Sequence, residues 1–320
     1  MYTKAVISLN LIDFHCDTIY KLKKNENQSL STNTLSVDLC KMKKACSMAQ
    51  FFALFVSLDE TSEPLSECLN MLDLFNKELA LNSAKIKLAK TYAELIENCK
   101  NGYMSSFLTI EEGAVIEGNL NNLKELFNLG VRLMTLTWNF PNEIGFPGCN
   151  NIYMDKGLTP FGHDVVEKMN ELPMIIDVSH LSDKGFYEVA DISKKPFIAS
   201  HSNSRAITDH SRNLTDKMIK TLANNGGVMG INFEKSFLGS SPYGRVSEMI
   251  EHINHIRNVG GIDVLSIGSD FDGIETNSEI YDISQMEKLK DALIKNKFSE
   301  NEIEKIFYKN ALRFIKDTLN

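Results

Sequence analysis

Eight short runs of apolar, β-branched and aromatic residues recur along this chain, and segments with helical periodicity separate most of them. This alternation is typical of a parallel sheet covered by helices, because parallel strands need a crossover of about a dozen residues or more between them. Eight is also the number of strands that closes such a sheet into a barrel. The sequence therefore predicts a (β/α)8 TIM-type barrel, with strands at 11–17, 48–56, 105–111, 131–138, 174–180, 196–201, 228–233 and 264–270.

Two of the intervening helices are clearly marked. The first follows Ser62 and Pro64, residues suited to a helix start, and its apolar stripe falls at 65, 68, 69, 72, 75 and 79. We expect this helix on the outside of the barrel. The second begins at Ser299, where Glu302 completes a capping-box pattern. It is predicted to close the base or a flank of the barrel.

The domain organisation is predicted to be simple. A chain of 320 residues lies within the size range of one β/α barrel, and we find no internal repeat, low-complexity tract or Pro/Gly/Ser linker. Residues 1–320 are therefore expected to form one domain. The segment 139–159 is rich in Pro and Gly and is predicted to be a loop over the mouth of the barrel.

Charge and cysteine usage argue against several classes of partner. The 34 basic and 42 acidic residues give a net charge of −8, which repels nucleic acid. No apolar run approaches the roughly 20 residues that span a bilayer, and residues 1–11 contain no apolar signal region, so we expect a cytoplasmic protein without a membrane partner. The six cysteines form no C-x-x-C pair, which predicts free thiols and no sulfur-ligated zinc.

Polar residues end several of the predicted strands. Strand side chains alternate in direction, so His15 and Asp17 are expected on one side of the first strand and Cys16 on the other. The carboxyl ends of barrel strands carry the active site in this fold. The side chains predicted to meet there are those of His15, Asp17, Glu111, His180, His201 and Asp270.

Imidazole and carboxylate groups suit zinc, and three histidines with two carboxylates are enough for two ions that share one carboxylate. A single histidine at a strand end is more often a hydrogen-bonded structural group, so the hypothesis depends on the whole set. The strand phase leaves Glu111 and Glu112 open as alternatives. The other four histidines are predicted to lie at the surface, in a loop or on the solvent face of a helix: His163, His210, His252 and His255.

Seven segments, in order along nearly the whole chain, resemble the membrane dipeptidase (renal dipeptidase) family, peptidase family M19. They are DFHCD at 13–17, TIEEGA at 109–114, GVRL at 130–133, IDVSH at 176–180, SHSN at 200–203, RNL at 212–214 and GSDFDG at 268–273. The resemblance implies a barrel of the metal-dependent hydrolase superfamily, two zinc ions per chain and dipeptide substrates. It also implies a homodimer.

By motif position, the resemblance assigns His15, Asp17 and Glu111 to the first zinc ion. It assigns Glu111, His180 and His201 to the second. The family's bridging glutamate opens a Glu-Gly-Gly-like turn, which favours Glu111 over its neighbour.

The resemblance assigns the remaining roles to two further residues. Arg212 would bind the terminal carboxylate of the substrate, a task that suits the two parallel donors of a guanidinium. Asp270 would move a proton between the water and the leaving amine. Many family members carry a histidine at the end of the fourth strand, where this chain has Trp138 followed by Asn139. An indole can donate one hydrogen bond but cannot bind metal, so zinc or Asn139 is expected to stabilise the oxyanion.

Three functions follow as hypotheses. The first is a zinc dipeptidase whose water bridges two zinc ions. The second is a metallohydrolase of the same fold that acts on another small amide, a lactam or an acyl amino acid, as the change at Trp138 suggests. The third is a binding protein that keeps the barrel without catalysis.

Overall fold

The computed structural model describes residues 9–25, 27–275 and 277–320. Within them, nine strands pair in parallel in one sheet: β1 (Leu11–Cys16), β2 (Ser47–Phe55), β3 (Ile86–Leu88), β4 (Met104–Glu111), β5 (Val131–Thr135), β6 (Ile175–Asp177), β7 (Ile198–Ala199), β8 (Val228–Ile231) and β9 (Leu265–Ile267). The order is β2-β1-β9-β8-β7-β6-β5-β4-β3, and a further pairing of β2 with β4 closes eight strands into a barrel. The predicted (β/α)8 barrel is confirmed.

Several strands are shorter at their carboxyl ends than predicted. β5 ends at Thr135, not at 138, and β7 contains only Ile198–Ala199. β6 and β9 likewise stop before His180 and Asp270, whose backbones have positive φ angles of 67° and 64° at the mouth of the barrel. The sequence did not predict β3, which pairs with the start of β4 outside the barrel, because three residues are too few for a period-2 pattern.

Helices connect most of the strands: α1 (Thr18–Lys23), α2 (Leu39–Lys44), α3 (Pro64–Leu81), α4 (Tyr92–Lys100), α5 (Leu120–Asn128), α6 (Pro160–Glu171), α7 (Asp183–Ile192), α8 (Asp216–Asn224), α9 (Lys235–Leu238), α10 (Val246–Gly260), α11 (Glu287–Lys295), α12 (Glu300–Glu304) and α13 (Asn310–Thr318). A π-helical segment, Lys305–Lys309, joins α12 to α13. In the part of the chain that the structure describes, none of these helices combines the length and apolarity needed to cross a membrane.

Both helices that the sequence marked are confirmed. α3 begins at Pro64 and buries Cys68, Leu72 and Phe75 against the barrel. Ser299 accepts a hydrogen bond from the Glu302 amide, and the Glu302 carboxylate accepts one from the Ser299 amide, which completes the capping box of α12.

The base of the barrel is filled by aromatic side chains. Phe14 and Phe51 lie 4.7 Å apart between ring centroids, and Phe51 stacks on Phe107 at 4.5 Å. Phe314 of α13 meets the edge of Phe14 at 5.9 Å and closes this interior cluster from below. Each buried phenyl ring contributes roughly 1.5–3 kcal/mol, so this interior cluster stabilises the end of the barrel opposite the polar strand ends.

The prediction that His252 faces solvent is wrong. Its side chain on α10 is fully buried, because Ser204 and the end of α9 cover this part of the helix. The Ser204 amide donates to Nδ1 at 3.0 Å, and Nε2 donates to the Leu238 carbonyl at 2.9 Å. His255 is half-buried and pairs with Asp216 at 2.7 Å.

Candidate active site

A cavity of about 470 Å³ opens at the carboxyl ends of the barrel strands. The sequence-predicted residues Asp17, Glu111, His180 and Asp270 line it, together with Trp138 and Asn139. His15 and His201 lie directly beneath, fully buried. The structure therefore brings together the six strand-end side chains that the sequence selected, although they come from segments as far apart as residues 15 and 270.

His180 and His201 present their ring nitrogens to the same point. Their Nε2 atoms are 2.9 Å apart, and Glu111 Oε1 lies 3.0 Å from His180 Nε2 and 3.7 Å from His201 Nε2. Burial lowers the pKa of both imidazoles well below 6.5, and the charges of His15 and Arg212 add to this effect. Both rings are therefore neutral at physiological pH.

A hydrogen-bond chain fixes the tautomer of His201. Asp177 is fully buried and accepts a hydrogen bond from the Ser200 hydroxyl at 2.6 Å. Since Ser200 has one hydroxyl proton and gives it to Asp177, its oxygen accepts from His201 Nδ1 at 2.8 Å. His201 Nε2 then carries a lone pair that points at the cavity. Asp177 and Ser200 both lie in the quoted motifs, but sequence reasoning gave them no role.

His180 has the matching arrangement. Asn139 Oδ1 lies 3.2 Å from His180 Nδ1, so a carbonyl oxygen receives the proton on that nitrogen. Three electron-pair donors therefore surround one point: His180 Nε2, His201 Nε2 and Glu111 Oε1. Groups of this kind repel one another unless a cation lies among them.

The second half of the site is formed by carboxylates around His15. His15 Nε2 lies 3.2 Å from Asp17 Oδ2, 3.3 Å from Glu111 Oε2 and 3.7 Å from Asp270 Oδ1. Burial alone would lower the pKa of His15, but the carboxylates of Glu111 and Asp17 outweigh burial and raise the pKa well above 6.5. The accumulated negative charge thus favours a positive charge at this position.

Two of the three carboxyl groups beside His15, those of Glu111 and Asp270, also have raised pKa values. Burial, followed by repulsion from Asp17, raises the pKa of Glu111 to about 8. Burial also raises the pKa of Asp270 to about 7. Both values report an environment short of positive charge, which a metal ion would supply.

The residues fit metal ions on further grounds. Asp17 Oδ1 is a buried oxygen without a hydrogen-bond partner. Two sets of side chains place their ligand atoms within 4.8 Å of one another: His15 with Glu111 and His201, and His15 with Asp17 and Asp270. Gly273 keeps this space open, since a Cβ at that position would overlap Asp17 Oδ2 and lie 2.5 Å from Asp270 Oδ1.

Glu111 and Glu112 have different surroundings, which separates the two alternatives left by the sequence. The Glu111 carboxylate points into the histidine cluster, whereas Glu112 has a φ of 93° and turns away. Glu112 accepts from the backbone amides of Ala114 at 2.8 Å and Trp138 at 3.1 Å, and from the Asn142 amide group. It therefore anchors the start of the 139–159 loop.

Trp138 and Asn139 form one wall of the cavity. The Trp138 ring packs edge-on against Phe55 at 4.8 Å, which gives this wall an aromatic surface. Asn139 turns its Oδ1 towards His180, so its amide nitrogen is a donor available to a bound molecule.

Arg212 lies beside the cavity but is not part of its lining. Its guanidinium donates to the His201 carbonyl at 3.1 Å and packs on Phe237, which does line the cavity. Arg212 is buried, and its Nε has no hydrogen-bond partner. His210, predicted as exposed loop, is half-buried: its Nδ1 accepts from the Arg212 amide and its ring packs on Phe237.

The sequence model of the membrane dipeptidase family, peptidase family M19, matches residues 3–320. The chain belongs to this family. It is accordingly a metallo-dipeptidase, a hydrolase that acts on peptide bonds.

An uncharacterized dipeptidase of Schizosaccharomyces pombe is 29% identical over 96% of this chain and 80% of its own length. A protein of Klebsiella pneumoniae, named only for its position in the pqqA 5′ region, is 30% identical over 80% of this chain and 97% of its own length.

Two solved structures of dipeptidases or metallopeptidases are similar over the whole barrel. Dipeptidase AC, a metallopeptidase of family M19, has a TM-score of 0.91 at 26% identity and covers 98% of this chain and 99% of its own. A metallopeptidase of Rhodobacter sphaeroides, liganded with a phosphinate mimic of the dipeptide L-Ala-D-Ala, has a TM-score of 0.89 at 25% identity. It covers 97% of this chain and 99% of its own.

Proposed function

We propose that this protein hydrolyses dipeptides with two zinc ions, and that Glu111 is shared between them. His15 and Asp17 would complete one set of ligands, and His180 and His201 the other. The convergence of unprotonated imidazole nitrogens and buried carboxylate oxygens on one small space is the observation that carries this proposal. The mixture of nitrogen and oxygen ligands suits zinc. Bound zinc would supply an activated water and polarise the scissile carbonyl group.

Asp270 is the group best placed to handle protons. Its Oδ1 faces His15 at 3.7 Å, and its carboxyl group lines the cavity. A pKa raised to about 7 lets the same group accept and return a proton near neutral pH. Asp270 would take the proton of the attacking water and give it to the nitrogen of the leaving amine.

The cavity and its neighbours can hold both ends of a small dipeptide. Arg212 would bind the terminal carboxylate, since it is a buried cation with an unpartnered Nε next to the cavity. Arg212 itself does not line the cavity, but it packs on Phe237, which does. Asn139 would donate to the carbonyl oxygen of the scissile bond. The related Rhodobacter protein binds a mimic of a two-residue substrate, which supports a substrate of this size.

The direct test is a dipeptide panel with purified protein and two equivalents of zinc. We expect release of free amino acids, a large but measurable fall of kcat in Asp270→Asn, and loss of release in His180→Ala. His163→Ala is the matched control, because this histidine is 43% exposed and lies outside the cavity lining. A zinc-loaded protein that cleaves no member of the panel would refute the proposal.

A second substrate class deserves a parallel assay because of one observation. The wall that carries a histidine in many relatives here consists of Trp138 against Phe55, which favours an apolar or cyclic group at this point. Lactams and acyl amino acids should therefore be compared with dipeptides. Arg212→Ala should impair only those substrates that carry a free carboxylate, and equal loss on neutral amides would argue against the anchoring role.

A further inference from the structure

Asn232 follows β8 and contacts the proposed proton carrier directly. Its side chain is fully buried, and its Nδ2 donates to Asp270 Oδ2 at 2.9 Å. The same nitrogen lies 3.3 Å from the His201 carbonyl oxygen. Asn232 does not line the cavity, and of the two groups that its Nδ2 contacts, only Asp270 does.

The orientation of the Asn232 amide is fixed by backbone groups. Its Oδ1 accepts from the Glu234 backbone amide at 2.7 Å, and a backbone N–H can only donate. The His201 carbonyl on the other side can only accept. The Nδ2 group must therefore face His201 and Asp270, and a flipped amide would lose three hydrogen bonds.

The backbone of Asn232 is held as firmly as its side chain. The Asn232 amide donates to Asn203 Oδ1 at 3.0 Å, and Asn203 Nδ2 donates back to the Asn232 carbonyl at 2.9 Å. This reciprocal pair links the ends of β7 and β8. The donor that reaches Asp270 is thus attached to a rigid support, as precise placement of a reacting group requires.

The two oxygens of Asp270 consequently have different surroundings. Oδ2 accepts a hydrogen bond from Asn232, while Oδ1 faces His15 and the space kept open by Gly273. We infer that Asn232 is a positioning residue for the reaction: it holds the Asp270 carboxyl group so that Oδ1 is the oxygen that meets substrate and water. This inference rests on the proposed dipeptidase function.

Three variants test the inference in the zinc-loaded full chain. Asn232→Ala removes the donor, and Asn232→Asp keeps the shape but replaces the donor with an acceptor. We expect kcat to fall about 10- to 100-fold in both, with KM and bound zinc close to wild type. Asn310→Ala is the control: this buried asparagine donates to the Ile262 and Leu265 carbonyls at the start of β9, away from the cavity, so its loss should lower Tm while leaving kcat near the wild-type value.

A double-mutant cycle separates positioning from general structural support. In an Asp270→Asn background, Asn232→Ala should cause no further loss of kcat, because the group through which it acts is already changed. Additive losses, or full kcat in a folded, zinc-loaded Asn232→Ala protein, would overturn the inference. Wild-type protein inactive on every dipeptide would instead refute the proposed function itself.

Discussion

His252 makes the stability of this protein depend on pH in a way that the structure quantifies. The Ser204 amide donates to its Nδ1, so Nδ1 cannot carry a proton in the folded state without losing that bond. Burial is the main cause that lowers the pKa of this imidazole, to about 4. The hydrogen bond to the Leu238 carbonyl acts in the opposite direction but is weaker.

The pH dependence of stability follows from the difference between the pKa of His252 in the folded and in the unfolded chain. In the unfolded chain the ring has a pKa of about 6.5, so the unfolded state binds the proton first as the pH falls. The stability associated with neutral His252 is complete above about pH 6.5 and is lost as the pH falls towards 4. The free energy of unfolding changes by about 1.4 kcal/mol per pH unit over this range, and the total loss is roughly 3 kcal/mol.

The assay is urea unfolding between pH 7.5 and 4.5 with chelator present throughout, so that acid release of metal does not contribute. His252→Asn keeps an acceptor for Ser204 but does not titrate. The variant loses the donor to Leu238, which costs about 1–3 kcal/mol at every pH, so the slopes are compared rather than the absolute values. His255→Asn is measured in parallel, as the same imidazole-to-amide change at a half-buried position of the same helix. If the plots of unfolding free energy against pH were parallel for wild type and His252→Asn, this reasoning would be refuted.

Three further substitutions test the construction of the site. Ser200→Ala removes the acceptor for His201 Nδ1 and should weaken zinc binding about 10- to 100-fold in a chelator competition; unchanged affinity would rule out this contribution. Gly273→Ala should abolish zinc retention and activity while the Tm of the metal-free protein changes little, because the added methyl group overlaps Asp17 Oδ2; an active, zinc-replete variant would contradict this account. Glu112→Gln should lose about 1–3 kcal/mol in unfolding free energy and raise KM more than it lowers kcat, because the 139–159 loop loses part of its anchor. Kinetics with an unchanged KM would show that the loop does not contact substrate.

The sequence located the site because the fold does most of the positioning. Parallel strands deliver their last residues to one end of a barrel, so His15, Glu111, His180 and His201 could be selected by their place in apolar runs. The direction of each side chain was harder to predict. The pairing of β1 with β2 shifts register between Asp13 and Cys16, and Glu112 has a positive φ. Local irregularities of this kind depend on tertiary contacts, which the periodicity of apolar residues in the sequence does not show.

The residues that sequence reasoning missed interact with partners far away in the chain. His252 lies on an amphipathic helix and is buried by residues 48 and 14 positions earlier, so periodicity alone placed it in solvent. Asn232 had one available signal, since it is a polar residue at the end of an apolar strand, as His201 and Asp270 are. Its partner Asp270 lies 38 positions later, and only the closed barrel brings the two together.

The base of the barrel contributes to stability, whereas the mouth carries the groups that are proposed to react. At the base, Phe14, Phe51 and Phe314 pack an apolar interior whose stability does not depend on any cation. At the mouth, Glu111 and Asp270 are buried beside Asp17, and the backbone of Asp270 occupies the left-handed region that disfavours side chains. Both features cost folding free energy and persist because the surrounding structure is rigid. Cations that bind this cluster in the folded chain and not in the unfolded chain would offset that cost. Tighter metal binding would therefore raise the free energy of unfolding.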